Sequence, residues 1–291
     1  MPKISALIIT YNNADKLKEC LKSVQWTDEI IIVDAESDDG TQKIVKAYTD
    51  KIYTRRWDNS YAKQRNFGLQ YTTGDWILQI DPDERITPKL KTEILAILKN
   101  PAQNFYWIPF QTYFLGHPLR HGAWYPCPHL RLFRNNGSHW VRDVHEQVAD
   151  KEGRIVKRED RDSGFLKNHY LHYSFDTVNH YFEKFIRYTE IDAKEMVKTK
   201  KDRYGREIKM TLHNPWSLAW FFIYRPLRFF ISRYFRHQGY KDGIHGFVYA
   251  LFGTFYESVT RIKYWQNSSR LLARSDPKER RGNLIKLNNF G

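Results

Sequence analysis

A chain of 291 residues, 16% of them aromatic, holds enough core material for one large α/β domain or a domain with an appendage, which excludes a disordered polymer. Its net charge of +14 points to an anionic partner: a phosphorylated substrate, an acidic membrane surface or a nucleic acid. Only Cys20 and Cys127 are present, which excludes a disulfide framework and a cysteine zinc site and suits a reducing cytoplasm.

The opening MPKISALIITYNN has too short an apolar run for a secretory signal and no small-residue cleavage site. Residues 4–10 are predicted as a strand running into Tyr11-Asn12-Asn13. Over 14–24, Leu17, Cys20, Leu21 and Val24 fall at helical spacing. A second strand, EIIIVD, stops at Asp34 and opens into Ala35-Glu36-Ser37-Asp38-Asp39-Gly40-Thr41; a helix bearing Ile44, Val45 and Tyr48 follows. Residues 51–54 make a short third strand, and 61–71 a basic helix containing Arg65. Trp76, Ile77, Leu78 and Ile80 then form a buried strand that ends in Asp81-Pro82-Asp83-Glu84. Pro82 cannot donate to a ladder, so the chain leaves the sheet there.

This alternation of strand and helix predicts a mostly parallel sheet covered on both faces. Parallel strands share a carboxyl edge, so Asp34 and Asp81/Asp83 belong on one rim, where open α/β sheets bind ligands. Hard carboxylate oxygens there suit Mg2+ or Mn2+, completed by substrate phosphates. The plainer alternative is an acidic turn at a helix N-terminus, where Asp and Glu are welcome. Neither a GxGxxG nor a GxxxxGK[ST] element is present.

Thr10-Tyr11-Asn12, VDAESDDGT at 33–41, AKQRNFG at 62–68 and DPDE at 81–84 together resemble the family-two inverting glycosyltransferases of GT-A fold. Within them, RWDNSYAKQRN and DWILQIDPDER are most similar to bacterial lipopolysaccharide-core β-1,4-glucosyltransferases of the WaaE type. The resemblance covers residues 3 to about 175; Glu36-Ser37-Asp38 departs from the more usual Gly-Ser-Thr or Ser-Ser. It implies a nucleotide-sugar pocket lined by Thr10, Tyr11, Asn12, Asp34, Glu36 and Asp39, with Arg65 at the diphosphate and Asp81 and Asp83 as the DxD element. Asp83 would be the metal ligand.

Beyond a helix at 88–99, residues 104–114 read as a strand in a mixed extension of the sheet, and 129–134 as another. An inverting transfer needs a base at the acceptor hydroxyl. The segment RLFR followed by Val144-His145-Glu146 resembles the family's matching element and makes Glu146 that base, with Asp143 in reserve. His172 in LHYS aligns with a late histidine that joins the metal in related enzymes. Trp124 and Tyr125 lie in a loop rich in aromatics, Gly and Pro, where they are placed either to stack on a sugar or simply to pack.

The catalytic domain is expected over 1–175, a helical aromatic and basic extension over 176–275 and a loose tail over 276–291. From 201 to 241 the acids are only Asp202 and Glu207, against many Lys and Arg, and Arg225, Arg228, Arg233 and Arg236 punctuate an aromatic run interrupted at Pro226. The stretches Thr211–Tyr224 and Gly243–Tyr256 are shorter than the roughly 20 residues of a spanning helix. Such helices suit the plane of an anionic bilayer; the competing reading is that they pack on the catalytic domain or pair in a homodimer, hiding the aromatics. The expectation is a cytoplasmic enzyme, peripheral on the inner face of the cytoplasmic membrane. It would carry a hexose, glucose first, from a UDP-sugar to a glycan or glycolipid acceptor. No nucleic-acid partner is expected. The competing class is a non-catalytic basic module for acidic lipid or nucleic acid, which leaves the strand-end acids unexplained. A nucleotidyltransferase would need a triphosphate-cradling loop, and TYNNAD lacks the glycines for one.

Overall fold

The computed structural model describes residues 1–142, 146–208 and 214–274. These divide into two compact units, one made of Met1–Tyr113 with Tyr125–Ser174, the other of Phe114–Trp124 with the chain from Phe175 onward.

In the first unit the chain runs β1 (Ile4–Thr10), α1 (Ala14–Val24), β2 (Glu29–Asp34), α2 (Thr41–Val45), β3 (Ile52–Thr54), α3 (Tyr61–Leu69) and β4 (Trp76–Gln79). It continues through β5 (Glu84–Ile86), α4 (Pro88–Ile97), β6 (Phe105–Ile108) and β7 (Phe110–Phe114). After the two-residue β8 (His117–Pro118) of the second unit come β9 (His129–Arg134), β10 (His139–Val141), β11 (Gln147–Ala149), β12 (Ser163–Phe165) and β13 (Tyr170–Phe175).

The central sheet has the order β12-β6-β9-β4-β1-β2-β3. Strands β4, β1, β2 and β3 are parallel, while β9 runs antiparallel to both β4 and β6. Successive side chains of a strand point to opposite faces, and both faces here are covered. Ile8, Ile32 and Leu78 meet α1 and α4 through Leu17, Leu21, Leu90 and Ile94, while Leu7, Ile31 and Ile77 face the side of Ala62 and Phe133. Helix α3 lies so close that a Cβ on Gly68 would come within 2.6 Å of Leu7 and Val33. That approach fixes where Arg65, one turn earlier, can reach.

The strand expected over 104–114 is two strands. Pro109 separates them, because proline contributes no N–H to a ladder. Strand β6 stays in the central sheet, and β7 joins a smaller sheet beside β13, which pairs antiparallel with β5.

Glu29, its side chain 7% exposed, ties the opposite edge of the sheet together. It accepts hydrogen bonds from Lys51 and Ser5 and, at 2.6 Å, from the Thr73 amide. Burial opposes its charge, but Lys51, Ser5 and Thr73 outweigh this and bring its pKa down to about 2. Ionised Glu29 therefore stabilises the fold above its unfolded pKa, and that contribution disappears as pH falls from about 4.5 towards 2. Glu29→Gln is expected to cost about 2 kcal/mol at neutral pH, with the gap from wild type closing across that acid window in pH-dependent melting curves. An equal gap at every pH would refute the assignment.

The second unit is built on α5 (Val178–Thr199), whose first turn is capped by Thr177 accepting from the His180 amide at 3.1 Å. A helical run follows: α6 (Pro215–Ala219), a π-helical turn (Trp220–Tyr224), α7 (Arg225–Ile231) and a second π-helical turn (Ser232–Arg236). The interruption expected at Pro226 takes the form of the π turn just before it; widening that turn relieves the clash of a proline ring with the carbonyl four residues back. The long α8 (Gly243–Arg274) packs on α5 and α7, with Gly253 leaving room for the Phe229 ring. Phe114, Leu119, Tyr181 and Phe185 form one core, Met196, Phe221 and Tyr264 another. No helix of the described residues is long and apolar enough to cross a membrane.

Candidate active site

Thr10 pairs with Asp34 across β1 and β2, and Asp34 with Thr54 across β2 and β3. Gln79 pairs with Leu7 across β4 and β1, so the chain reaches Asp81 on the same carboxyl edge. The shared rim expected from the alternation is there.

Beside it, two loops are laced together. Asp34, wholly enclosed, accepts from the Ser37 amide at 3.1 Å, the Ser37 hydroxyl at 2.5 Å and Gln42 Nε2 at 2.7 Å. The Asn12 amide donates to Ser37 Oγ at 2.9 Å, and the Asn12 and Asp38 side chains exchange further bonds. Asp39 caps α1 through the Ala14 amide and binds Thr41; these bonds outweigh burial and lower its pKa. Thr10 is buried, whereas Tyr11, Asn12 and Glu36 face solvent. Ser37 is thus a brace for Asp34 and Asn12.

The other half of the rim is a buried charge cluster. Asp81 Oδ1 accepts from Arg65 Nη2, and Asp81 Oδ2 from Arg131 Nη2, each at 2.9 Å; Gln79 Nε2 adds a third bond at 2.9 Å. Burial works against ionised Asp81, but Arg131 and Arg65 overcome it and hold the carboxyl well below the ordinary range. Arg131 also donates to Gln79 and Glu84, and lies 3.3 Å from the Tyr170 hydroxyl. Glu84 is 1% exposed, and burial raises its pKa despite Arg131. Its Oε2 accepts the Asp81 amide at 2.9 Å, locking the turn.

Arg65 Nη1 donates to Glu146, so one guanidinium joins the candidate base to the DPD turn. Its Nε is buried without a hydrogen-bond partner among the described residues. Asp83 leaves the turn beside His172, with Oδ2 3.6 Å from Nε2; both side chains are partly exposed. Burial disfavours charge on His172, yet Asp83 outweighs it and raises the imidazole pKa. Among the described residues no group of three or more His, Cys, Asp or Glu side chains is placed to hold a metal ion.

Asp143 and His145 lie outside the described residues. Trp124 sits in the second unit, edge-on to Tyr249 with Arg233 4.6 Å over its ring. Tyr125, in the first unit, reaches His169 Nδ1 at 3.2 Å. Arg131 and Gln79 went unnoticed in the sequence, and Glu84 was read there only as part of the acidic turn. The available signal was polarity out of place: an arginine at an inward position of HLRLFR and a glutamine inside a buried apolar strand.

A doubly covered sheet whose carboxyl rim gathers acids, two buried arginines and a candidate base is the layout of a glycosyltransferase. Residues 5–149 match the family described as "Glycosyl transferase family 2", and the chain carries a domain of that family. It is 29% identical to an uncharacterized glycosyltransferase of Rickettsia conorii over 98% of both chains. It is also 27% identical to the lipopolysaccharide core biosynthesis glycosyltransferase LpsC of Rhizobium meliloti, covering 91% of this chain and 94% of the relative. Among solved structures, S. aureus TarS 1–349 aligns over 92% of this chain and 91% of its own at 16% identity, with a TM-score of 0.45.

Proposed function

We propose that the protein is an inverting hexosyltransferase of GT-A type that moves glucose from UDP-glucose to a sugar of a lipid-linked or lipopolysaccharide-core acceptor. The observation that carries this reading is the single guanidinium of Arg65 shared by Asp81 and Glu146. On this reading Glu146 as base and Arg65 as diphosphate anchor stand side by side at the strand edge. Similarity to LpsC, a glycosyltransferase of lipopolysaccharide core biosynthesis, supports the acceptor class. A UDP-sugar and such an acceptor meet at the cytoplasmic face of the membrane, where the enzyme would work.

In the reaction the acceptor oxygen attacks the sugar C1. The bond from C1 to the β-phosphate oxygen breaks with its electron pair leaving on UDP, and Glu146 takes the hydroxyl proton. Thr10, Tyr11, Asn12 and Glu36 would border the nucleoside, and Arg65 would turn a donor group to the diphosphate. Asp83 and His172 fit a divalent cation of the kind that takes one or two protein ligands and completes its shell with substrate phosphates and water. When bound, Mn2+ or Mg2+ supplies positive charge against the departing diphosphate.

The test is a donor-hydrolysis screen over UDP- and GDP-sugars with Mn2+, repeated on Glu146→Gln. Turnover is expected with a UDP-hexose and to fall about a thousandfold in the variant, with UDP affinity by calorimetry unchanged. Full activity in the variant would remove Glu146 as the base, and preference for a GDP-sugar would overturn the donor.

A further inference from the structure

The helical run from Pro215 to Arg236 has two unlike faces. Phe221, Pro226 and Phe229 turn inward, the last against Gly253. Two of its arginines are used inward as well: Arg225 donates to the buried Asp202 at 3.0 Å, and Arg233 to the Gly122 carbonyl at 3.2 Å. On the other side, Trp216, Trp220, Ile223, Leu227, Ile231 and Phe235 recur at spacings of three and four, all exposed, Trp216 to 82% and Ile223 to 65%. A stripe of six large apolar side chains in water needs a partner.

The charges around it say which kind. Arg228, Arg236 and Lys241 are exposed and have no salt-bridge partner among the described residues. From Asn214 to Lys241 the sequence holds no Asp or Glu. The next acid, Asp242, is buried and engaged by the Arg120 and His121 amides. A second copy docking this face on itself about a twofold axis would set guanidinium against guanidinium. A bilayer carrying anionic headgroups takes apolar side chains below and cations at the phosphate level, and tryptophan suits that boundary.

We propose that this face lies in the plane of an anionic membrane, with the apolar stripe in the acyl boundary and Arg228, Arg236 and Lys241 on lipid phosphates. The face is a docking surface, distinct from the residues assigned to transfer.

The test is co-sedimentation of the full chain with vesicles of equal parts phosphatidylcholine and phosphatidylglycerol, against pure phosphatidylcholine. Two variants are compared: Ile223→Ser with Leu227→Ser and Ile231→Ser, and Arg228→Gln with Arg236→Gln and Lys241→Gln. All six positions are exposed, and circular dichroism checks that both variants fold. The wild type is expected to favour anionic vesicles, and each variant to lose at least about tenfold in partitioning. Equal partitioning of wild type and both variants would overturn the proposal. So would a wild type that stays in the supernatant as a dimer which the serine variant makes monomeric. Vesicle binding needs neither donor nor turnover, so its failure leaves the catalytic assignment where it stands.

Discussion

Asp83→Asn is expected to lower turnover of the sugar donor by about a thousandfold, the scale of losing a preorganised charge at a leaving group. Its melting temperature should stay near that of wild type, because the side chain is partly exposed and its contact with His172 is long, at 3.6 Å. The diagnostic comparison is with metal removal. If Asp83 acts by holding a divalent cation, chelation of the wild type should bring it to the rate of the variant, and chelating the variant should change nothing further. Two perturbations of one device do not add. A variant that still responds fully to Mn2+ would detach Asp83 from the ion, and one that turns over like wild type would remove it from the site.

Arg131→Met carries the second large effect, this time on stability. Arg131 is buried and is bonded at once to Gln79, Asp81 and Glu84. Removing it strands the Glu84 carboxylate in the interior and leaves Asp81 with Arg65 as its one arginine, a loss of about 3–5 kcal/mol in urea unfolding. The deficit should narrow as pH falls, since Glu84, already driven towards its protonated form by burial, can take up a proton and shed the stranded charge. Arg131→Lys should recover only part of the loss, because an ammonium cannot fork between Asp81, Glu84 and Gln79. Wild-type stability in the methionine variant would show that Asp81 and Glu84 are held by other means. The same residue reaches activity through Asp81, which would keep only Arg65 of its two arginines.

The sheet and its rim were legible because local patterns encode them. Apolar runs such as ISALIIT and EIIIVD mark strands covered on both faces, and each stops at the residue that becomes the edge, Thr10 or Asp34. What Asp34 does there was not legible. Its oxygens are taken by Ser37 and Gln42, and only the folded loop shows that a strand-end acid can serve as an internal brace. The pairing of Arg131 with Glu84 escaped for a related reason: this buried ion pair joins residues 47 apart in the chain, and no periodicity links them. The placing of Phe114–Trp124 in the second unit likewise rests on packing with Tyr181 and Phe252, partners that no local signal names.

The two π turns of the second unit have a geometric consequence. Phe221, Arg225, Phe229 and Arg233 repeat every four residues, and in an ideal α-helix such a series winds about 40° round the axis at each step. Wider turns take up part of that winding, so the inner column drifts less round the axis than it would in an ideal helix. Removing one residue from Trp220–Tyr224 would roll everything beyond it, carrying Arg225 off Asp202 and twisting the apolar stripe out of line.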